Sequence, residues 1–472
     1  MGCRWMSAPL WTSMGCRGTA CLTMVFARGC RGISTPVPGA PPPPPSLTWV
    51  SAGLFLSHVL TPLSGCSCCA PCNFFSLLKY VITQVLPLSL MGSALASSGD
   101  DTPHVPNEKL GEEKVLHIIE NLTSLIKETF PDTKVYAAMG NHDFHPKNQF
   151  PGKEHRIYNR TAELWRSWLN DASTPLFRAG AFYSEKLPSP RTRGRMVVLN
   201  TNLYYDKNNE TAGEEDPGGQ FQWLEETLTN ASRADEMVYI VGHVPPGFFE
   251  KKRGMPWFRS GFNERYLKIV QKHHKVIAAQ FFGHHHTDSF RMFYSDTGSP
   301  INVMFLAPGV TPWKTTLPGV NNGANNPGIR VIDYDPDTLQ VLDMVTYYLN
   351  LTRANMMAST WEEEFPTWEE EYRLTEAFQV PDGSLRSMQT VLERISKDPH
   401  YLQQYYEFNS VRYDLTPCEE ACRVDHVCAI REVDFTKYNE CVKTSSSASA
   451  VISVRLLFFC LLLRLLSPQQ AL

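Results

Sequence analysis

The 472-residue chain carries a formal net charge of −4, with 19% charged and 43% hydrophobic residues, a globular composition with room for one large domain and additions. Residues 1–99 hold four Arg, one Lys and no acid, which leaves 39 basic against 48 acidic residues in the remainder. A surface of that sign argues against a nucleic-acid polymer as partner.

Residues 1–98 read as an atypical, disordered leader. Met1-Gly-Cys-Arg4, Met14-Gly-Cys-Arg17 and Arg28-Gly-Cys-Arg31 are faintly repetitive, and Pro41–Pro45 is a polyproline run. Trp49–Leu60 and Phe74–Ala96 are apolar, but Lys79, Pro87 and several Ser interrupt the second. Neither makes a clean transmembrane span or an ordinary N-terminal signal peptide; an internal signal-anchor over 74–96 is the alternative.

From residue 99 to 354 the texture is α/β. Lys109–Phe130 places Val115, Ile118, Ile119, Leu122 and Ile126 at helical spacing, and it feeds a strand-like run, Lys134–Met139. Helices are expected at Tyr158–Leu169, Gln220–Leu228 and Phe262–His274. Strands are expected at Met196–Leu199, Met237–Val241, Val276–Phe282, Val303–Leu306, Ile329–Asp333 and Val341–Tyr347. The alternation predicts a layered α/β core.

Residues 355–442 are charged and aromatic with no clear strand, and read as a helical subdomain. It is closed by Cys418, Cys422, Cys428 and Cys441, an even-numbered group suited to two disulfides; a zinc knuckle is the alternative, without a Cys-x₂-Cys pair. Sequons at Asn121, Asn159, Asn209, Asn230 and Asn350 fit a secreted glycoprotein. In the tail, 443–472, small residues at Ser445–Ala450 precede the apolar Val451–Leu466, the pattern of a GPI-attachment signal, although Arg455 and Arg464 interrupt it. The chain is thereby expected at the extracellular face of the plasma membrane, as a monomer.

The chemistry concentrates where strand-like runs end. Asn141, His243, His284 and His286 come after such runs and Asp100 could come after one, and all but His286 sit directly after a Gly. One carboxylate, one amide oxygen and three imidazoles suit Zn²⁺, and a carboxylate can bridge two such ions. On an extended segment His284 and His286 point to one face.

Gly99-Asp100, Gly140-Asn141-His142-Asp143, Gly242-His243 and Gly283-His284-His285-His286 match the ordered motifs of the calcineurin-like metallophosphoesterases. The longer strings ending at His104, Lys147 and Gly247 resemble the acid sphingomyelinase-like branch, over roughly residues 99 to 466. The resemblance implies a two-sheet α/β core, two zinc ions, and phosphodiester hydrolysis by a metal-bound hydroxide. Its substrates would be sphingomyelin-like choline lipids or nucleotide and CDP-choline-type molecules. It implies that Asp100 bridges the ions, that Asn141, His243 and His284 complete the second, and that His286 belongs to the first. His142 and His104 would donate protons to the leaving oxygen, and the cysteines would pair as Cys418–Cys422 and Cys428–Cys441.

One departure stands against these matches. The family opens with Asp-x-His on a first strand, and this chain has no Asp or Glu before Asp100 and only His58 upstream. The first strand and half of the first metal site are therefore expected to be missing, with Asp101, His285 and Asp288 as weak substitutes. The rival expectation is a catalytically impaired cell-surface protein that acts by binding.

Overall fold

The computed structural model describes residues 24–29, 94–188, 193–315, 317, 320–321, 323–360 and 367–445. In chain order its first elements are β1 (Met24–Gly29), β2 (Ala94–Ser97), α1 (Glu112–Thr129), β3 (Lys134–Ala137), α2 (Arg156–Leu164) and α3 (Ser173–Gly180). Then come β4 (Tyr183–Lys186), β5 (Gly194–Val198), α4 (Gln220–Arg233), β6 (Met237–Val241), α5 (Ser260–His273), β7 (Ile277–Phe282), β8 (Ser289–Tyr294) and β9 (Pro300–Leu306). The last are β10 (Trp313–Lys314), β11 (Ala324–Asn325), β12 (Gly328–Tyr334), β13 (Val341–Tyr348), α6 (Leu351–Thr360), β14 (Glu369–Arg373), α7 (Leu374–Ala377), α8 (Leu385–Lys397), α9 (Pro399–Asn409) and α10 (Glu420–Arg431).

Two six-stranded sheets make the core, in the orders β14-β13-β12-β1-β2-β3 and β4-β5-β6-β7-β9-β8. The second is parallel through β5, β6, β7 and β9, with antiparallel β4 and β8 at its edges. Parallel strands need cover on both faces, which is why Val-Tyr-Ile-Val in β6 is buried throughout. The crossover helices supply that cover: α4 buries Phe221, Leu224 and Leu228, and α5 buries Phe262, Tyr266 and Ile269. Buried tyrosines tie the sheets together. The Tyr183 hydroxyl accepts from the Ala137 N–H at 2.9 Å, and the Tyr239 hydroxyl donates to the Leu339 carbonyl. Such hydroxyls satisfy backbone groups that would otherwise be orphaned between layers.

The expected α/β core and its principal strands are present, but the helix expected over Tyr158–Leu169 runs from Arg156 to Leu164, β4 and β8 are strands the sequence did not announce, and the chain's two ends differ as well. Helix α1 starts at Glu112, because Asn107–Lys109 forms a short 3₁₀ turn before it. The leader expected over 1–98 includes two sheet strands. Ala94–Ser97 is buried and runs parallel to β3, its small side chains fitting the packed interior. Met24–Gly29 joins the first sheet between β12 and β2, parallel to β12 and antiparallel to β2. Its register pairs Met24 with Ser97, so β1 enters the sheet at the end where β2 leaves it.

The region from 355 is not a purely helical appendage. β14 continues the first sheet beside β13, and α8 and α10 pack on β9 and β8. The four cysteines form disulfides, Cys418–Cys422 and Cys428–Cys441, which excludes the zinc-knuckle alternative. Around the second, Phe248 stacks on Tyr438 with ring centroids 3.7 Å apart, a small core beside the main one. No helix among the described residues is long and apolar enough to cross a membrane. The signal-anchor alternative over 74–96, short of β2, and the tail from 446 lie outside the described residues.

Candidate metal centre

The site forms where the carboxyl ends of β2 and β3 in one sheet meet those of β5, β6 and β7 in the other. Open α/β sheets present polar loops there, because the strands stop and the helices have not begun. β2 leads into Asp100, β3 into Asn141, β6 into His243 and β7 into His284. The β2 and β3 loops touch backbone to backbone. A Cβ on Gly99 would lie 2.1 Å from the Gly140 nitrogen, and one on Gly140 would lie 2.0 Å from the Asp100 nitrogen. Only glycine permits that approach, and Gly99 also has φ of 89°.

Asp143 locks the two loops. Its carboxylate accepts from the N–H groups of Asp100 (2.8 Å), Thr102 (2.8 Å) and Gly140 (2.7 Å). Burial and the neighbouring Asp100 push Asp143 up to about 7, against the pull of these bonds. Asp101, a proposed substitute ligand, is raised by burial and by Asp143 and Asp100, which disfavours the ionised form a ligand needs.

Asp100, Asn141, His243 and His284 converge as expected. His243 Nε2 lies 2.9 Å from Asn141 Oδ1, 3.4 Å from Asp100 Oδ2 and 3.2 Å from His284 Nδ1, which is itself 3.0 Å from Asn141 Oδ1. The tautomer of His243 decides what this cluster is. Its Nδ1 is 2.6 Å from the Ser98 carbonyl, an acceptor only, so Nδ1 carries the proton. Burial lowers the His243 pKa despite Asp100, so the ring is neutral and Nε2 is a bare lone pair. That lone pair faces two oxygens and another imidazole nitrogen. A cation among them reconciles the arrangement, and a backbone carbonyl on Nδ1 is the usual way a ligand histidine is oriented.

Burial also works against charge on Asp100, yet the carboxyl is held well below its ordinary range, with the hydrogen bond to His104 Nε2 among the causes. His284 and His286 are lowered chiefly by burial, so they too offer neutral rings. Nε2 of His284 and both ring nitrogens of His286 are buried without hydrogen-bond partners. Such orphans are costly unless a ligand satisfies them.

His104 and His142 gather on the other side of Asp100. His104 Nε2 is 3.2 Å from Asp100 Oδ2, the two imidazoles stack at 3.7 Å, and the His104 and His286 ring centroids are 5.0 Å apart. Asp100, His104 and His142 offer ligand atoms within 4.8 Å of one another, as do Asp100, His243 and His284.

Two expectations need correction. His284 and His286 do not alternate along an extended segment: their φ values are 66° and 57°, left-handed for both. The chain turns back on itself there instead of continuing the strand. Nor are His285 and Asp288 free to substitute as ligands. His285 is bonded to Trp257 and Glu250, and Asp288 accepts from Arg330 and from the Tyr372 hydroxyl at 2.8 Å.

The site opens into a cleft of about 550 Å³ whose walls include Trp257, Trp313, Tyr205, Lys147, Lys207 and Lys314. Sequence reasoning did not single these out as cleft walls: apart from Trp313 and Lys314, which form the two-residue β10, they stand outside helices and strands and carry no periodic signal. Asp143 could have been found, lying in the same motif as Asn141, but two of its three partners are 41 and 43 residues away.

Comparison with known proteins agrees with this geometry. Residues 97–288 match the model of the calcineurin-like phosphoesterases, and 299–448 that of the acid sphingomyelin phosphodiesterase C-terminal region. The chain is 66% identical to an acid sphingomyelinase-like phosphodiesterase 3b of Mus musculus, over 73% of this chain and 74% of that one. It is 63% identical to the Homo sapiens protein of the same name, over 74% and 76%. It is 38% identical to the Homo sapiens cyclic GMP-AMP phosphodiesterase SMPDL3A, over 73% and 75%.

Proposed function

We propose, for a chain that belongs to the acid sphingomyelinase-like phosphodiesterases of the calcineurin-like phosphoesterase family, zinc-dependent hydrolysis of small phosphodiesters in the Lys- and Trp-walled cleft. The observation that carries this reading is the bare Nε2 of buried His243 aimed at Asn141, Asp100 and His284. Three neutral or amide donors with one carboxylate match borderline divalent ions such as zinc. When bound, such an ion polarises phosphoryl oxygens and makes water a better nucleophile.

The chain's own residues supply the rest. Asp100 is held by the His142 N–H at 3.0 Å, so the carboxylate is fixed before any ligand arrives. His142 and His104, stacked on the cleft side, are placed to give a proton to the leaving oxygen. Lys147, Lys207 and Lys314 attract negative charge, and the rings of Trp257, Trp313 and Tyr205 suit a base or a quaternary ammonium. Three lysines favour nucleotide or CDP-choline-type substrates over the zwitterionic head of sphingomyelin. The test is a panel of sphingomyelin, CDP-choline and cyclic dinucleotide, before and after chelation. Activity on the charged members should vanish on chelation and return with zinc; turnover indifferent to chelation would overturn the reading. The absence of any carboxylate before Asp100 favours a second reading, binding with little turnover, in which the panel members bind but are not cleaved.

The compartment belongs to the same proposal. The disulfides form in an oxidising space, and the sequon residues Asn209 and Asn230 are exposed for glycans. With the small-then-apolar tail, they support a protein held by a GPI anchor at the outer membrane surface. Phosphatidylinositol-specific phospholipase should release it from intact cells. Retention with Val451–Leu466 still present by mass would show that the tail is not an attachment signal.

A further inference from the structure

Behind the metal centre lies a charged network that the proposed chemistry does not use. Glu250, in the loop after β6, has a fully buried carboxylate bonded on both oxygens. Oε1 accepts from Thr287 Oγ1 at 2.6 Å and Asn409 Nδ2 at 2.8 Å. Oε2 accepts from Arg291 Nη2 at 2.5 Å and faces His285 Nδ1 at 3.1 Å. Four elements thus converge on one carboxylate: the β6 loop, the turn after β7, β8, and the end of α9.

His285 connects this anchor to the cleft. Its Nε2 lies 2.5 Å from Nε1 of Trp257, which can only donate, so Nε2 is the acceptor. A neutral ring that accepts at Nε2 carries its proton on Nδ1, and that proton goes to Glu250. Arg291 Nη2, 3.2 Å from the same Nδ1, is a neighbour and not its partner. The indole fixed in this way packs edge-on against the His284 ring, with centroids 4.5 Å apart. His285 also sits between two residues in left-handed conformations, which side chains with a Cβ adopt only under constraint.

We propose that Glu250 acts through His285 as a positioning residue for the metal centre, fixing Trp257 against His284 and holding His284 and His286 in their left-handed conformations. This rests on the reading of His284 as a ligand. The logic is that of outer hydrogen bonds that orient ligands, extended here by one residue and carried by an aromatic edge.

The test is a double-mutant cycle read on zinc or cobalt affinity alone, by competition with a chelator, for wild type, Glu250→Gln, Trp257→Phe and the double variant. In Glu250→Gln one carboxylate oxygen becomes an NH2 that must face either Arg291 and His285 or Thr287 and Asn409, so the charged acceptor on which the four groups converge is lost. Each single variant should lose affinity on the order of 10- to 100-fold, the usual cost of outer-shell changes. The double variant should bind no more weakly than the weaker single. Losses that multiply, or a Glu250→Gln that binds like wild type, would overturn the relay while leaving the metal centre intact. If Glu250→Gln does not fold, His285→Asn takes its place, since it keeps a donor toward Glu250 and removes the acceptor from Trp257. Wild-type affinity in His285→Asn would then overturn the proposal, and coupling to Trp257→Phe would support it. A wild-type chain that binds no metal would remove both the inference and the reading beneath it.

Discussion

Replacing residues 24–29 by a strand that runs parallel to β2 and ends in Asp-x-His is expected to raise kcat/KM on a phosphodiester by on the order of a thousandfold. Two-ion sites share the charge of attacking and leaving oxygens between both metals, and losing one ion removes several kcal/mol of transition-state stabilisation. Without the motif, the first position keeps only Asp100 and His286 from the family set, where catalytic zinc has about three protein ligands. β1 does not repair this. It closes the sheet between β12 and β2, but it runs antiparallel to β2, so its carboxyl end at Gly29 lies toward Ala94 and not beside Asp100. A strand can therefore restore the hydrogen-bond ladder without restoring the chemistry. Metal counting should accompany the kinetics, with one more ion bound by the grafted chain. Equal kcat/KM for the two chains at saturating zinc would show that the motif is dispensable here.

The parts of this molecule that sequence reading found are those whose physics is local. A run such as Met237–Val241, apolar throughout and continued by Gly-His, states both its strand and its ligand, because burial on both faces demands the run and the sheet edge exposes the residues just past it. β4, β8 and β14 lack that signal. Glu185, Arg291 and Glu371 interrupt them at buried positions; Lys134 meets Glu185 and Glu250 meets Arg291, while burial raises the Glu371 carboxyl, which has no hydrogen-bond partner among the described residues. Arg291 is acceptable inside β8 because Glu250, 41 residues away, meets it there. β2 was hidden for another reason: Ala94-Leu-Ala-Ser97 is too short and too small-sided to stand out from the apolar stretch before it. The left-handed turns at His284 and His286 were unreadable because neither residue is glycine.

His243→Ala and Asn141→Ala are each expected to empty the second metal position and to take phosphodiesterase activity below detection. The two residues share one focus: Asn141 Oδ1 receives His243 Nε2 at 2.9 Å and His284 Nδ1 at 3.0 Å, with Asp100 Oδ2 3.4 Å from the same His243 nitrogen. Removing His243 leaves two oxygens and one nitrogen, and takes away the imidazole whose tautomer the Ser98 carbonyl had set. Removing Asn141 takes away the oxygen around which both imidazoles are arranged, and also its amide bond to Asn148 Oδ1 at 2.7 Å. Losing a direct ligand should cost more than the 10- to 100-fold typical of an outer-shell change, and the rate should fall by on the order of a thousandfold as the ion's several kcal/mol of transition-state stabilisation disappears. The fold should survive in both variants. The Asp143 carboxylate still clamps the Asp100, Thr102 and Gly140 N–H groups, and β2, β3, β6 and β7 keep their ladders. Elemental analysis of the purified variants is the deciding measurement. Zinc content equal to wild type in both, in protein with an unchanged far-ultraviolet spectrum, would mean that the His243 lone pair faces something other than a metal.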